Sequence, residues 1–242
     1  MMEGTFPQTW QISVPSVTRI KLPHNPTLLI LAENIAKGYH ILKATGRSEQ
    51  EVFAMKKISA GTNVFIYPMP VVLVGTNAKG RANFMAVGFV SRVNAVPPML
   101  AVGIFNKHYT NEGIKENGTF SVCFPDAALI EKADYCGIVS GRKVDKSTLF
   151  DVFYGETKTA PMIEECPLNL ECRLVQTVEL QTNNLHIGEI IASYADERCM
   201  TEGKLDVKKL NPLLLTMPDN RYWTVGEFAG NAWEAGKGLK QG

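Results

Sequence analysis

Hydrophobic positions change their spacing along this chain near residue 64. Before it, Leu28, Leu31, Ile35, Tyr39 and Leu42 recur at threes and fours between Asn25-Pro26 and Gly46. That spacing lays one apolar stripe along a helix over residues 27–44, with Asn25 as cap, Pro26 in the first turn and Gly46 as stop. Beyond it, apolar residues come in short runs bounded by turn residues: 64–76, 83–93, 99–105, 120–124, 168–179 and 185–194. These runs are rich in Val, Ile and Phe, the residues that fit a pleated, half-buried surface, so they read as strands. Asn77-Ala78-Lys79-Gly80 joins the first two as a hairpin turn would.

The strands follow one another more than they alternate with helices, which predicts a closed antiparallel barrel, mainly β with accessory helices, over a doubly wound parallel sheet. Two helical insertions are expected. One starts near Thr110, and a longer one runs from Asp126 to about Tyr135 and is closed by Gly137. The tail over residues 205–242 carries Tyr222, Trp223, Phe228 and Trp233, aromatics that predict packing on the body or on a partner. The chain then divides into an N-terminal extension with one helix, residues 1–54, and a barrel domain, residues 55–242.

Composition removes several function classes. With 25 Lys and Arg against 24 Asp and Glu, the net charge is +1. Such a balance gives no field for nucleic acid or an anionic membrane, so any anion site has to be local. No run approaches the ~20 apolar residues of a membrane span, and the N-terminus lacks a basic region followed by an apolar core. Five cysteines without a C-x-x-C pair argue against a disulfide framework and against a zinc or cluster site, and suit buried thiols in a reducing cytoplasm. No metal site is expected.

Candidate chemistry lies in three places. Thr110 falls where a strand gives way to a helix, where its hydroxyl and the following amides form either a plain helix cap or an anion site. Arg142, Lys143 and Lys146 form the densest basic cluster of the barrel region, in a turn that begins with Ser140-Gly141. They read either as a solvated loop or as partners of a dianion. Asn83 opens an apolar strand just after a turn, where an amide side chain fixes the turn or meets a ligand. His186 is alone in an apolar strand and reads as a hydrogen-bonded structural residue.

Three ordered segments resemble the flavin reductase-like family, in its flavoredoxin branch. They are Tyr67-Pro68-Met69-Pro70 running on to Gly75-Thr76, with Gly80, Asn83 and Pro97-Pro98; His108-Tyr109-Thr110-Asn111 with Ile114 and Phe120; and Ala133-Asp134-Tyr135-Cys136-Gly137 leading into Ser140-Gly141-Arg142-Lys143-Val144-Asp145-Lys146. Val225-Gly226-Glu227-Phe228 agrees as well. The resemblance covers about residue 55 to the C-terminus and implies an FMN-binding split β-barrel of Greek-key type. It implies FMN as cofactor, with its phosphate near His108, Tyr109, Thr110 and Asn111 and the loop of Ser140, Arg142 and Lys146 approaching the flavin. It also implies that Asn83, Met85, Ala86 and Val87 border the isoalloxazine, with Phe89 as a wall.

The resemblance further implies a homodimer whose barrels meet face to face, with electrons arriving from NAD(P)H or a redox protein. The sequence leaves open an oxidoreductase, an electron carrier between proteins, and a flavin-binding module without turnover. No catalytic side chain is expected, because hydride chemistry belongs to the flavin and the protein supplies position and preorganised donors.

Overall fold

A computed structural model describes residues 57–239. The expected helix over residues 27–44 lies outside them. Contacts divide the chain into two units, Met1–Thr62 and Asn63–Gly242. Of the first, only residues 57–62 are described, and they carry no regular element.

The second unit begins with the short strand β1 (Met69–Pro70), followed by β2 (Val72–Ala78), β3 (Arg81–Val87), β4 (Val90–Asn94) and β5 (Met99–Phe105). Helix α1 (Thr110–Asn117), strand β6 (Thr119–Phe124) and helix α2 (Ile130–Ile138) come next. The pair β7 (Val152–Tyr154) and β8 (Pro161–Ile163) precedes the long hairpin of β9 (Leu168–Glu179) and β10 (Asn183–Ala195). The chain continues through β11 (Met200–Thr201), β12 (Lys204–Leu205), α3 (Val207–Leu210), β13 (Leu214–Thr216) and β14 (Arg221–Trp223).

Seven strands form one antiparallel sheet in the order β3-β2-β6-β9-β10-β5-β4. Within it β5, β10, β9 and β6 lie in Greek-key order. The two edges, β3 and β4, are consecutive in the chain and separated only by Gly88 and Phe89. Two residues cannot reach across a flat sheet of seven strands spaced at about 4.8 Å, so the sheet must curl until its edges meet. The result is a barrel with no ladder between β3 and β4, split along that seam.

All six expected runs form strands, two of them with large changes of extent, and the short strands β7, β8 and β11 to β14 come in addition. The run at 64–76 becomes a strand only from Met69, and the run at 83–93 is broken by Gly88-Phe89 where the chain crosses the seam. The β2–β3 turn is a two-residue loop in which Lys79 (φ 53°) and Gly80 (φ 77°) both take positive φ, the twist-compatible hairpin geometry that favours glycine.

The barrel interior holds Val72, Val74, Val102, Ile104, Phe120 and Val122, all fully buried. On β2 the alternate residue Leu73 points outward into a second cluster with Phe84, Cys123, Ala133, Cys136 and Met162. Burial on both faces explains why this strand reads as a continuous apolar run. Helix α1 closes one end of the barrel. Ile114 joins the interior cluster, and Gly113 sits so close to β2 that a Cβ there would meet Thr76 Cγ2 at 2.7 Å.

Helix α2 differs from its expected extent. A 3₁₀ turn at Ala127–Leu129 precedes it, with the Asp126 carboxylate accepting from the amides of Ala128 (3.0 Å) and Leu129 (3.2 Å). Gly137 does not close the helix, which runs through it to Ile138. An added Cβ at Gly137 would lie 3.4 Å from Ala86, an ordinary contact that the packing would accept.

The tail packs through β14 and as far as Glu227, which pairs with Lys208 at 3.4 Å. Strands β1, β13 and β14 make a small sheet, and the Tyr222 hydroxyl donates to Asp134 at 2.8 Å. Phe228 and Trp233 are exposed. No helix among the described residues is long and apolar enough to cross a membrane.

Candidate functional site

Three parts of the sequence that the fold brings together enclose a small polar cavity of about 20 Å³. Strand β3 contributes Asn83 and Met85, and the turn into α1 contributes His108, Tyr109 and Thr110. Helix α2 and the loop after it contribute Cys136, Val139, Ser140, Gly141 and Lys146. Seven of the residues singled out in the sequence therefore line one cavity: Asn83, Met85, His108, Tyr109, Thr110, Ser140 and Lys146.

Lys146 is the main charge there. Its side chain is almost fully buried, and Nζ donates to the carbonyls of Phe84 (2.9 Å) and Cys136 (2.8 Å). An ammonium carries three donors, so one proton remains. Among the described residues no carboxylate pairs with it; Asp145 beside it lies 3.7 Å from Arg81 instead. Burial pushes the Lys146 pKa down, partly offset by the neighbouring Cys136. A buried cation held only by two carbonyl dipoles favours the approach of an anion.

Asn83 and Thr110 form the opposite wall. Asn83 Nδ2 donates to Thr110 Oγ1 at 3.0 Å, while Asn83 Oδ1 is buried and has no partner among the described residues. The two ends of a carboxamide have the same shape, so the pair has two hydrogen-bonded arrangements. In one, the Thr110 hydroxyl hydrogen faces the cavity; in the other, the Asn83 amide hydrogens do. Either way one donor is left for a ligand oxygen.

Thr110 does not cap its helix. It is the first helical residue, and the cap position, Tyr109, makes no side-chain capping bond. The amides that sequence reasoning offered to an anion are also engaged, because Asn111 N donates to His108 O (3.3 Å) and Glu112 N to Tyr109 O (3.0 Å). The donor at this helix start is thus a side chain, and the expected free amides are corrected.

His108 is exposed at the mouth of the cavity, and partial desolvation first, then the positive charges of Lys146 and Arg142, holds its pKa below the usual imidazole value. Arg142 sits at the rim. Its guanidinium lies 5.0 Å from the centre of the Tyr109 ring, donates to Lys107 O at 3.3 Å and pairs with Glu112. The Ser140 hydroxyl accepts from the Arg142 amide at 3.3 Å, fixing the turn.

Besides Arg142 at the rim, four expected residues do not line this cavity. The Asn111 side chain turns away from the cavity toward Asn184 and His186. Ala86 packs in the outer cluster near Gly137, and Val87 is buried in the barrel interior. Phe89, half exposed, lines a separate apolar cleft of about 590 Å³ with Phe65, Met69, Val90 and Leu185. Cys136, Val139 and Gly141 also line the cavity and are not among the residues expected there. Cys136 could have been placed by its i, i+3 spacing from Ala133 on the buried face of α2. A Cβ on Gly141 would fall against the Asn83 carboxamide, which brings the turn close enough to wall the cavity.

His186 behaves as the sequence reading expected, buried and hydrogen-bonded, and its pKa is pushed down to about 4, mainly by burial. A base whose folded pKa lies below its unfolded value stabilises the fold fully above the unfolded value, and loses that contribution as pH falls through the folded one. Stability should therefore fall between pH 6.5 and about 4 by roughly 3 kcal/mol from this group. Urea unfolding at stepped pH should show this slope, and His186→Gln should flatten it; equal slopes in both proteins would remove His186 as the cause.

Residues 64–216 match the model of the flavin reductase like domain family. The chain is 64% identical to the flavoredoxin from Methanosarcina acetivorans, whose X-ray crystal structure superposes with a TM-score of 0.74 over 76% of this chain and 98% of that one. The flavoredoxin of Desulfovibrio vulgaris (Miyazaki F) is 35% identical, with a TM-score of 0.70 over 76% of this chain and all of that one (100%). Protein YddH of Escherichia coli K12 is 32% identical over 152 residues, 60% of this chain and 80% of its own length. The matched span contains every residue that lines the polar cavity, from Asn83 to Lys146, and it is more than half of the chain: this protein belongs to the flavin reductase like domain family.

Proposed function

We propose that this protein binds FMN, with an oxygen of the phosphate received in the polar cavity, and passes electrons from NAD(P)H or a protein donor to an acceptor. The observation that carries the reading is the buried Lys146 ammonium without a carboxylate partner, facing the Asn83–Thr110 pair and its spare donor. The donor set fits a phosphate: one cation and one neutral hydrogen-bond donor from opposite walls. At about 20 Å³ the cavity takes one water-sized group, so an isoalloxazine has to lie outside it.

FMN, when bound, supplies reversible hydride and electron transfer. The chain's own part is to hold the phosphate, to orient the ring and to keep the rest of the site free of competing charge. Strand β3 is a sheet edge, so one row of its amides has no ladder partner and is available to a ring lying along it. Such preorganised donors favour the more negative, reduced flavin. Pairing of Arg142 with Glu112 leaves Lys146 as the cation that faces the cavity.

The test is a titration of the full chain with FMN and with riboflavin, followed by anaerobic addition of NADH or NADPH. FMN should bind more tightly than riboflavin and bleach on reduction. Thr110→Ala should weaken FMN by about fivefold to tenfold, the value of one hydrogen bond, with little change for riboflavin. Equal weakening of both ligands would take the phosphate away from this cavity.

We also propose a homodimer. The cleft beside β4 is apolar, and Phe89, Val93 and Ile66 are exposed around it, a patch that a second copy of the chain would cover. Sedimentation velocity should give a dimer, and Val93→Lys should shift it toward monomer; a wild-type monomer at micromolar concentration would end this reading.

A further inference from the structure

The Asn111 side chain, which sequence reasoning assigned to the cofactor, is bonded at both ends away from the cavity. Its Nδ2 donates to the carbonyls of Phe105 (2.9 Å) and His108 (3.0 Å), the two ends of the turn that leads into Tyr109 and Thr110. Its Oδ1 accepts from Asn184 Nδ2 at 3.1 Å and from His186 Nε2 at 2.8 Å. All four hydrogen-bonding positions of the carboxamide are filled, and the residue is buried. A fully satisfied buried network of this kind permits one arrangement only.

The logic of donors and acceptors fixes every member. Because Asn111 Nδ2 has two carbonyls to serve, Oδ1 has to face β10, and only donors can meet it there. His186 must then carry its proton on Nε2, which leaves Nδ1 as an acceptor. Thr177, directly across the ladder from His186 on β9, is in place to donate its hydroxyl to Nδ1 at 2.9 Å. Were His186 absent, Oδ1 would lose one of its two donors, and the orientation of Asn111 against the turn would no longer be determined.

We propose that His186 is a positioning residue for the phosphate site: through Asn111 it sets the turn at residues 105–109 and so places the Thr110 hydroxyl beside Asn83. The inference rests on the reading that Thr110 and Lys146 receive the phosphate, and it goes beyond it by assigning the site's geometry to a residue on the far side of the barrel end. His186 does not line the cavity, and its side-chain hydrogen bonds among the described residues go to Asn111 and Thr177. Its action is confined to Asn111, whose backbone follows directly on Thr110.

The experiment uses the full chain with His186→Leu, His186→Gln and Thr177→Val, and reads the ratio of riboflavin to FMN dissociation constants beside the melting temperature. Gln can present its side-chain amide near the position of Nε2 and so can still donate to Asn111. His186→Leu should lower the preference for FMN by about tenfold, His186→Gln should keep it within about threefold of wild type, and Thr177→Val should fall between them. A preference unchanged in both His186→Leu and Thr177→Val, whatever the melting temperatures, would reduce the network to plain stability and overturn the proposal. Should His186→Leu not fold, Thr177→Val decides alone, by a lowered or an unchanged preference. Thr110→Ala separates the two readings: if it leaves the preference unchanged, the phosphate placement fails, whereas a preference that falls in Thr110→Ala and not in the His186 and Thr177 variants removes the positioning role only.

Discussion

Lys146→Met should lower the affinity for FMN by roughly 10- to 100-fold while changing that for riboflavin less than threefold, as read by flavin fluorescence titration. Methionine keeps the unbranched stem and its packing, so the change isolates the ammonium. The loss expected is that of a charge-assisted bond formed away from water, which is worth more than an exposed ion pair. The same substitution leaves the carbonyls of Phe84 and Cys136 without their donor, costing about 1–3 kcal/mol of stability and a lower melting temperature. The two effects are separable, because destabilisation alone weakens both flavins alike. A variant that binds FMN and riboflavin equally poorly would show that Lys146 braces β3 against α2 and does not meet the phosphate.

Much of the barrel was legible in the sequence because its strands are buried on both faces or bounded by turn residues, and those signals are local. Val72, Leu73 and Val74 form an apolar run whether or not one knows that Leu73 looks outward toward Met162. The break at Gly88-Phe89 was not legible. It exists because the chain crosses the barrel seam there, and the need to cross is a property of the closed sheet. Helix α2 runs past its expected end because Gly137 keeps helical geometry, and a glycine stops a helix only where the chain takes up the left-handed conformation.

The site divides in the same way. Asn83, Thr110 and Lys146, whose side chains leave their own elements for the cavity, stand at a turn, at a helix start and in a basic run. Those signals fit a turn, a cap or a solvated loop equally well until the family resemblance is added. The family resemblance implies Asn111 and Phe89 alongside them, and neither lines this cavity, because neighbouring side chains on a first helical turn or across a bend diverge. Thr110 looks to β3, whereas Asn111 looks to β10. His186 was set aside on sound grounds, being buried and satisfied. Only the identity of its partner, Asn111, connects it to the phosphate site.

Gly75→Ala should be the most damaging single methyl group in the barrel, with a loss above about 4 kcal/mol or failure to accumulate folded protein, measured by urea unfolding. Gly75 lies mid-strand in β2, where the segment leading into β8 crosses it. An added Cβ would overlap the Pro161 carbonyl and the Ser121 hydroxyl and would approach Phe84 Cε1 to 2.9 Å. Overpacking usually costs about 1–3 kcal/mol because a side chain can swing aside. Here the nearest obstacle is backbone, and it is held: the Pro161 carbonyl accepts the Ser121 hydroxyl, and Asn77 N donates to Thr159 O at 3.1 Å. Relief would require the 159–161 segment to lift from β2, exposing Met162 and Ile163, both fully buried. Because β2 pairs directly with β3 over seven registered positions, that distortion would also move Asn83, so any folded fraction of Gly75→Ala should bind FMN less well than wild type. A variant that folds within about 1 kcal/mol of wild type would mean that the 159–161 segment is not fixed against β2 as the hydrogen bonds indicate.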